Sequence, residues 1–260
     1  MKYETDYKDF ISRQYTSEEY APFIKMEEHY CYEYLKEWIE RHPATKKQKW
    51  LEIGSGRGAM QDIVEDYTGL DVTDEVAKYY HKKFVMGSAE KLPFGDESFD
   101  VIWTCSTYEM IPDIEKALNE AVRVLKKEGI LLFAPAWHCR PWAANGYQVR
   151  PYSDFTLLGK IYKFLIPLLN SFPVRAFFMF PQRIIALIRY SLNKNTPLIY
   201  KKLNPKYDIN WQSDVDACNS LDPFMVILWF QARGHICISH NTFLRKILAR
   251  NGTVEFEIQK

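Results

Sequence analysis

Two hundred and sixty residues, 47% hydrophobic and 26% charged, describe a globular chain that can bury a sizeable core, and exclude a disordered, collagen-like or disulfide-scaffold protein. Thirty-four basic side chains against 33 acidic leave a formal charge of +1, so the chain as a whole is no polyanion binder and nucleic acid is not an expected partner. The balance hides an asymmetry, because residues 150–208 carry 10 basic and 2 acidic side chains while residues 1–149 carry 19 and 26. Cys31, Cys105, Cys139, Cys218 and Cys237 are scattered, without the short paired spacings of a zinc site or a secreted disulfide framework. A cytoplasmic location is expected from that, from an opening MKYETDYKDF without the apolar run of a secretory signal, and from the lack of about 18–20 consecutive uncharged apolar residues.

In chain order, residues 17–41 predict a helix, started by Ser17 with Glu18 and Glu19 and stopped at His42-Pro43. It belongs to a flank or lid over residues 1–48. From Lys49 the pattern changes to short apolar runs, WLEI, TGLDV, KKFVM, DVIWTC and GILLFAP, separated by helix-like stretches. Such alternation predicts a parallel sheet covered on both faces, here over residues 49–149. The clearest crossover helix carries Ile114, Ala117, Leu118, Ala121, Val122 and Leu125 on one face, a core-packing pattern. Alternation then stops over residues 150–208 and resumes over 209–260 with LDPFMVILWFQARG (helix), HICISH (strand), NTFLRKILARN (short helix) and TVEFEIQ (strand). The cationic stretch is therefore an insertion within one α/β domain.

Residues 50–60 read WLEIGSGRGAM, a buried strand ending in Glu52 and followed by Gly54, Gly56 and Gly58, which open a helix. Glycines permit positive φ and close backbone approach, and a helix start offers free N–H groups, so the turn suits a nucleotide-like cofactor. Gly54, Gly56 and Ala59 alone also satisfy a dinucleotide fingerprint with Asp71 as its ribose acid, so the glycines by themselves leave two cofactors open. Glu52, the third glycine and the downstream block GSAEKLPFGDESFDVIW discriminate between them. LEIGSGRG, GLDVTDE, SAEKLPF…SFDVIW and ALNEAVRVLKKEGILLF, in that order, resemble the class I S-adenosylmethionine-dependent methyltransferases over residues 48–137, in particular the small-molecule and lipid methyltransferases.

The resemblance implies an α/β, Rossmann-like, seven-stranded, mostly parallel sheet with helices on both faces, its last strand antiparallel, and a helical insertion after the fifth strand. It implies S-adenosyl-L-methionine as cofactor, admitted by Gly54, Ser55, Gly56 and Gly58 with Glu52 near its ammonium end. Asp71 would accept from both ribose hydroxyls, beside Val72, and Ser88, Ala89 and Glu90 would lie against adenine, with Cys105 completing the set. The family places an acid where this chain has Ser88, so a hydroxyl would stand in for the carboxylate on the adenine amino group.

Methyl transfer to a hydroxyl needs in-line placement and removal of a proton. Open α/β sheets put their crevice at the carboxyl ends of the strands, which singles out Thr104–Glu109 and Trp137-His138. His138 is the expected general base, a hydrogen-bonded loop histidine being the alternative; Tyr108 would position an acceptor or pack. TCSTYEM lacks the N/D-P-P-Y signature of amino-group methylation on adenine or glutamine, which leaves oxygen ahead of carbon or a small amine. His235 and Cys237 would share a strand face but His240 would not, and no metal is expected. Asp214 and Asp216 face the acceptor pocket or cap the next helix.

Within 150–208, aliphatic and aromatic residues are punctuated by Lys160, Lys163, Arg175, Arg183 and Arg189, with prolines 167, 173 and 181 expected to divide it into short helices. Runs of about a dozen apolar residues are too short to cross a bilayer. The stretch reads as a cap over an acceptor pocket, as a peripheral membrane surface, or as both. WHCRPW and SDVDACNSLDPF…LWFQARG resemble segments of bacterial surface-polysaccharide methyltransferases. The expected activity is O-methylation of a sugar hydroxyl in a glycan or lipid-linked glycan precursor. The alternatives are a quinone-like or other lipid small molecule as acceptor, and a non-catalytic cofactor-binding assembly protein. The sequence does not set the oligomeric state.

Overall fold

The structure, a computed structural model, describes residues 9–13, 15, 25–205 and 214–260. The expected start of the first helix, Ser17 to Glu19, lies outside these; of the rest of that span, residues 25–31 hold only a 3₁₀ turn, Met26–Glu28, that ends on an extended His29, and the helix itself is α1, Tyr32–Arg41. Five parallel strands follow: β1 Lys49–Ile53, β2 Asp66–Asp71, β3 Lys83–Met86, β4 Phe99–Cys105 and β5 Leu125–Ala134. β6 (Ile236–Cys237) and β7 (Val254–Glu257) complete the sheet in the order β3-β2-β1-β4-β5-β7-β6, with β7 antiparallel to both neighbours. The α/β class, the strand count and the antiparallel closing strand are as expected. HICISH pairs over only two residues. In the register, Ile53 lies between Leu70 and Thr104, so the carboxyl ends of β1, β2 and β4 open side by side.

The central strands β1, β2 and β4 and the second half of β5 are mostly buried on both faces, which is why they read as near-continuous apolar runs. On one face α1 sets Leu35, Trp38 and Ile39 against Trp50, Tyr67, Trp103 and Leu132. On the other lie α2 (Ile114–Val124) and, farther along the chain, Pro223–Ala232. Helix α2 starts on Asp113, whose side chain accepts from the Lys116 backbone N–H, and buries Ile114, Ala117, Leu118, Ala121 and Val124.

Two expectations about helices fail. The glycine turn does not open a helix: residues 54–65 run as turns and bends, and the β2–β3 connection holds only a 3₁₀ turn at Ala77–Tyr79. The reason is tertiary. The Gly54 and Ser55 N–H groups go to the Leu70 carbonyl of β2, those of Gly58, Gln61 and Ile63 make only isolated turn bonds, and the buried Gln61 side chain ties the segment to the Tyr79 carbonyl and the His81 and Lys82 N–H groups. The prolines do not cut the insertion as expected either. It forms α3, Leu157–Leu169, and α4, Phe172–Leu192, with Pro167 and Pro181 inside helices and only Pro173 at a helix start. The two helices meet at 84°. α5 (Pro223–Ala232) is apolar all round and buried from Pro223 to Phe230, and α6 (Phe243–Ile247) precedes β7. Among the described residues no single helix is long and apolar enough to cross a membrane.

Candidate functional site

A cavity of about 410 Å³ lies over the carboxyl ends of β1, β2 and β4, a size that suits a small molecule or cofactor. Its floor is the glycine turn. Gly54, Gly56 and Gly58 have φ of 73°, 51° and 71°, and the N–H groups of Gly54 and Ser55 both donate to the Leu70 carbonyl, tying the turn to the end of β2. A Cβ on Gly54 would stand 2.1 Å from Thr107 Oγ1, so only glycine lets the loop after β4 close onto the turn.

Two carboxylates face the cavity from the strand ends. Asp71, buried, accepts from the Gly56 N–H (2.9 Å), the Val72 N–H (2.8 Å) and the Tyr15 hydroxyl (2.9 Å). Burial raises its pKa, and those donors pull the other way. Glu52 accepts from the Tyr67 hydroxyl and from Trp103 Nε1 at 3.2 Å, and burial pushes it up to about 7. Both are acids held out of water that a ligand's hydroxyl or ammonium donors would satisfy.

A second acidic group, Glu109, Asp214 and Asp216, lines the far end. Glu109 follows β4 and accepts from the Ala136 N–H at 3.0 Å, bridging the loops after β4 and β5. Burial first, with the charges of Asp216 and Asp214 adding to it, pushes Glu109 up to about 8; burial and the charge of Asp214 push Asp216 up to about 7. These are carboxyls poised to exchange protons near neutrality. At the rim, Cys105 Sγ lies 2.7 Å from Cys31 Sγ and 2.9 Å from the Tyr30 hydroxyl. Phe10, Ile11 and Tyr15 cluster with Val76 and Val215, and Ile11 and Tyr15 line the cavity.

Of the sequence-expected cofactor set, Glu52, Gly54, Ser55, Gly56, Asp71, Val72 and Cys105 line this cavity. Gly58 does not; it lies under Tyr80, whose ring a Cβ would meet at 2.7 Å, and the Tyr80 hydroxyl bonds Ser55 Oγ at 2.7 Å, so Gly58 shapes the turn from behind. Ser88, Ala89 and Glu90 stand apart as well. Ala89 belongs to the core, Ser88 Oγ accepts from the Glu90 N–H, and Glu90 Oε1 accepts from the Asp113 N–H at the start of α2.

The two expected acceptor residues are elsewhere. Tyr108 is fully buried against Phe133 with its hydroxyl on the Ala117 carbonyl at 3.3 Å, a packing residue. His138 sits at φ 57° with its N–H on the Leu221 carbonyl and Nε2 buried without a partner among the described residues. Burial and the Arg183, Arg140 and Arg175 charges hold its pKa down near about 4, against a raising pull from Asp222, and it does not line the cavity. Glu109, Tyr15, His29 and Arg57 line the site without having been expected there; Glu109 did fall within the segment after β4, whereas Tyr15 and Arg57 are brought in by a bond from the Arg57 guanidinium to the Tyr15 carbonyl.

The cavity fits an adenosyl sulfonium in its donor set: one buried carboxylate at the end of β2 for a diol, another at the end of β1 for an ammonium, and glycine backbone between them. Residues 51–133 match the family model of a methyltransferase domain. Over 108 residues the chain is 34% identical to an uncharacterized methyltransferase, YcgJ, of Bacillus subtilis (strain 168), covering 36% of this chain and 43% of that protein. A crystal structure of YcgJ aligns over 40% of this chain and 50% of that one, at 30% identity and a TM-score of 0.35. Phthiotriol/phenolphthiotriol dimycocerosates methyltransferase 1 of Mycobacterium ulcerans (strain Agy99) is 32% identical over 120 residues, 40% of this chain and 44% of that protein. The mitochondrial 2-methoxy-6-polyprenyl-1,4-benzoquinol methylase of Xenopus laevis is 34% identical over 137 residues, 49% and 44%. The chain thus spans less than half the length of these curated relatives.

Proposed function

We propose that this chain, whose residues 51–133 form a class I S-adenosylmethionine-dependent methyltransferase domain, transfers a methyl group to a hydroxyl of a lipid-linked acceptor, a sugar hydroxyl of a glycan precursor being the first candidate. The observation that carries the reading is the pair of buried carboxylates, Glu52 and Asp71, facing one cavity across a glycine turn whose backbone leaves room for a ligand.

S-adenosylmethionine, when bound, supplies a methyl group already activated on a sulfonium. The chain's own residues then have three tasks. Asp71, fixed by the Gly56 and Val72 N–H groups, holds the ribose diol, and Glu52 holds the amino-acid end. The lid of Ile11 and Tyr15 excludes water from the cavity. The proton of the acceptor hydroxyl goes to Asp216, whose carboxyl, pushed up to about 7, is partly ionised at neutrality, and to Glu109 only as the pH passes about 8, below which Glu109 is mostly protonated. His138, outside the cavity and held near about 4, is the poorer base.

The second reading keeps the chemistry and changes the acceptor to a lipid-borne hydroxyl. It is supported by the names of two relatives, which act on phthiotriol dimycocerosates and a polyprenyl benzoquinol. Calorimetry with S-adenosylmethionine, S-adenosylhomocysteine and a nicotinamide dinucleotide tests the cofactor; binding of the last alone would overturn the proposal. Incubation with methyl-labelled cofactor and a membrane-plus-cytosol extract tests the acceptor, with label expected in the lipid-extractable fraction. Label on water-soluble metabolites alone would refute a lipid-linked acceptor, and no label with retained cofactor binding would favour an assembly protein.

A further inference from the structure

We infer that the α3–α4 hairpin, continued by α6, is a docking surface for an anionic phospholipid leaflet, which it enters from one side without crossing. The hairpin is amphipathic in the sense opposite to that of a soluble cap. In α4 the buried stripe is Arg183, Ala186 and Tyr190, while Phe177, Ile184, Ile188 and Leu192 face solvent, Phe177 at 74% exposure. In α3 the exposed stripe is Leu157, Leu158, Ile161, Phe164 and Leu168, with Leu158 at 78% and Phe164 at 74%. Phe243 and Leu244 of α6 are exposed too. A folded chain does not hold that much contiguous apolar surface in water without a partner.

Charge decides which partner. Between Leu157 and Leu192 the sequence has no acidic residue, and apart from buried Arg183, which Asp222 neutralises, it has Lys160, Lys163, Arg175 and Arg189. A second copy applied to this face would set cation against cation, whereas an anionic leaflet neutralises the charge while taking up the side chains. At the bend the Arg250 guanidinium lies 4.0 Å from the centroid of the Phe172 ring, and Arg175 stands in the first turn of α4. Neither Arg175 nor Arg250 has an ion-pair partner among the described residues. Their place is at headgroup level, with Phe172 below them.

Geometry decides the depth. α3 has 13 residues and α4 has 21, and only the two together would satisfy the length and composition of a span, yet they are bent by 84°. α4 is also anchored. Fully buried Arg183 makes two hydrogen bonds to the Asp222 carboxylate and one each to the carbonyls of Ile247 and Ala249, at the end of α6 and just beyond it. Lifting α4 off the domain to set it across a bilayer would break all four. It therefore lies in the interface plane.

The inference stands apart from the cofactor reading and is tested without turnover. The full chain is floated with vesicles of equal parts phosphatidylcholine and phosphatidylglycerol, and with phosphatidylcholine alone. Wild type should co-float with the anionic vesicles at least about tenfold more than with the neutral ones, and less as salt is raised. Leu158→Glu/Phe164→Glu, at positions that touch little, should abolish flotation while leaving the melting temperature and S-adenosylhomocysteine affinity unchanged; Phe177→Glu provides the same test on α4. Lys160→Glu/Arg189→Glu should remove the preference for anionic lipid. Wild type that stays with the soluble fraction, or variants that float as wild type does, would overturn the inference. So would a wild-type dimer by light scattering that Phe164→Glu dissociates without any vesicle binding, which would assign the face to a second copy.

Discussion

Replacing Asp71 by asparagine tests the centre of the cofactor site while changing the side-chain volume very little. The carboxylate accepts on both oxygens: the Gly56 N–H and the Tyr15 hydroxyl on Oδ2, and the Val72 N–H on Oδ1. An amide has one acceptor oxygen, so in either orientation its NH₂ faces a backbone N–H, and one buried donor loses its partner at about 1–3 kcal/mol of stability. The ribose diol loses a charged acceptor at the same time. Hydrogen bonds to charged groups contribute about 1.5–3 kcal/mol, roughly twice a neutral pair, so the exchange should weaken S-adenosylhomocysteine binding by about 10–100-fold. Calorimetry at 25 °C gives the affinity and thermal unfolding gives the stability cost, which separates loss of a ligand contact from loss of the fold. A folded Asp71→Asn variant that binds within twofold of wild type would show that Asp71 holds only its own loop, and the assignment of the cavity would fall with it.

Three further outcomes follow from the same geometry. Tyr15→Phe removes a hydroxyl that competes with a ligand diol for Asp71 Oδ2, so affinity for S-adenosylhomocysteine should rise by about 3–10-fold, the worth of one hydrogen bond; weaker binding would show that the lid hydroxyl serves the bound state. Glu109 is protonated more readily in the folded chain, at about 8, than a free glutamate at 4.5, so the folded state binds the extra proton and its stability falls as pH rises between those values. Glu109→Gln should flatten that fall in melting temperature and lower the methylation rate above pH 8, where the wild-type carboxylate is ionised; a parallel pH curve would refute the assignment. Arg183→Met leaves Asp222 and two carbonyls without their partner, at about 3–5 kcal/mol for a broken buried pair, and the melting temperature should drop by roughly 6–20 °C. An unchanged melting temperature would mean that the clamp does not hold α4.

The order of elements was legible because it rests on local pattern. Alternating apolar runs mark β1 to β5, and the stripe of Ile114, Ala117, Leu118 and Ala121 marks α2, its expected last member Leu125 opening β5 instead, since burial on both faces of a sheet and one face of a helix leaves different periods in a sequence. That Glu52, Gly54 and Asp71 sit together at one cavity follows for a related reason: strand ends and positive-φ turns need particular residue types in a fixed local order. His138, Tyr108 and Ser88 to Glu90 do not join them. Proximity to a motif along the chain says nothing about which way a side chain points, and these residues turn into the core or into backbone caps. Glu109, Asp214 and Asp216 meet although about a hundred residues separate the first from the others, and only the return of the chain after the insertion brings them together.

The insertion shows the same division. Its charge and grease were plain in the letters, yet Arg183, which reads as one more surface cation, is the buried clamp that sets how α4 lies on the domain. The sequence by itself determined the strand and helix order, the glycine turn and the cationic stretch, because each depends on neighbours along the chain. Tertiary structure alone decided which carboxylates share the cavity, which face of the hairpin is left to solvent and which arginine is buried, because those depend on contacts between residues far apart in the chain, and composition and spacing do not encode them.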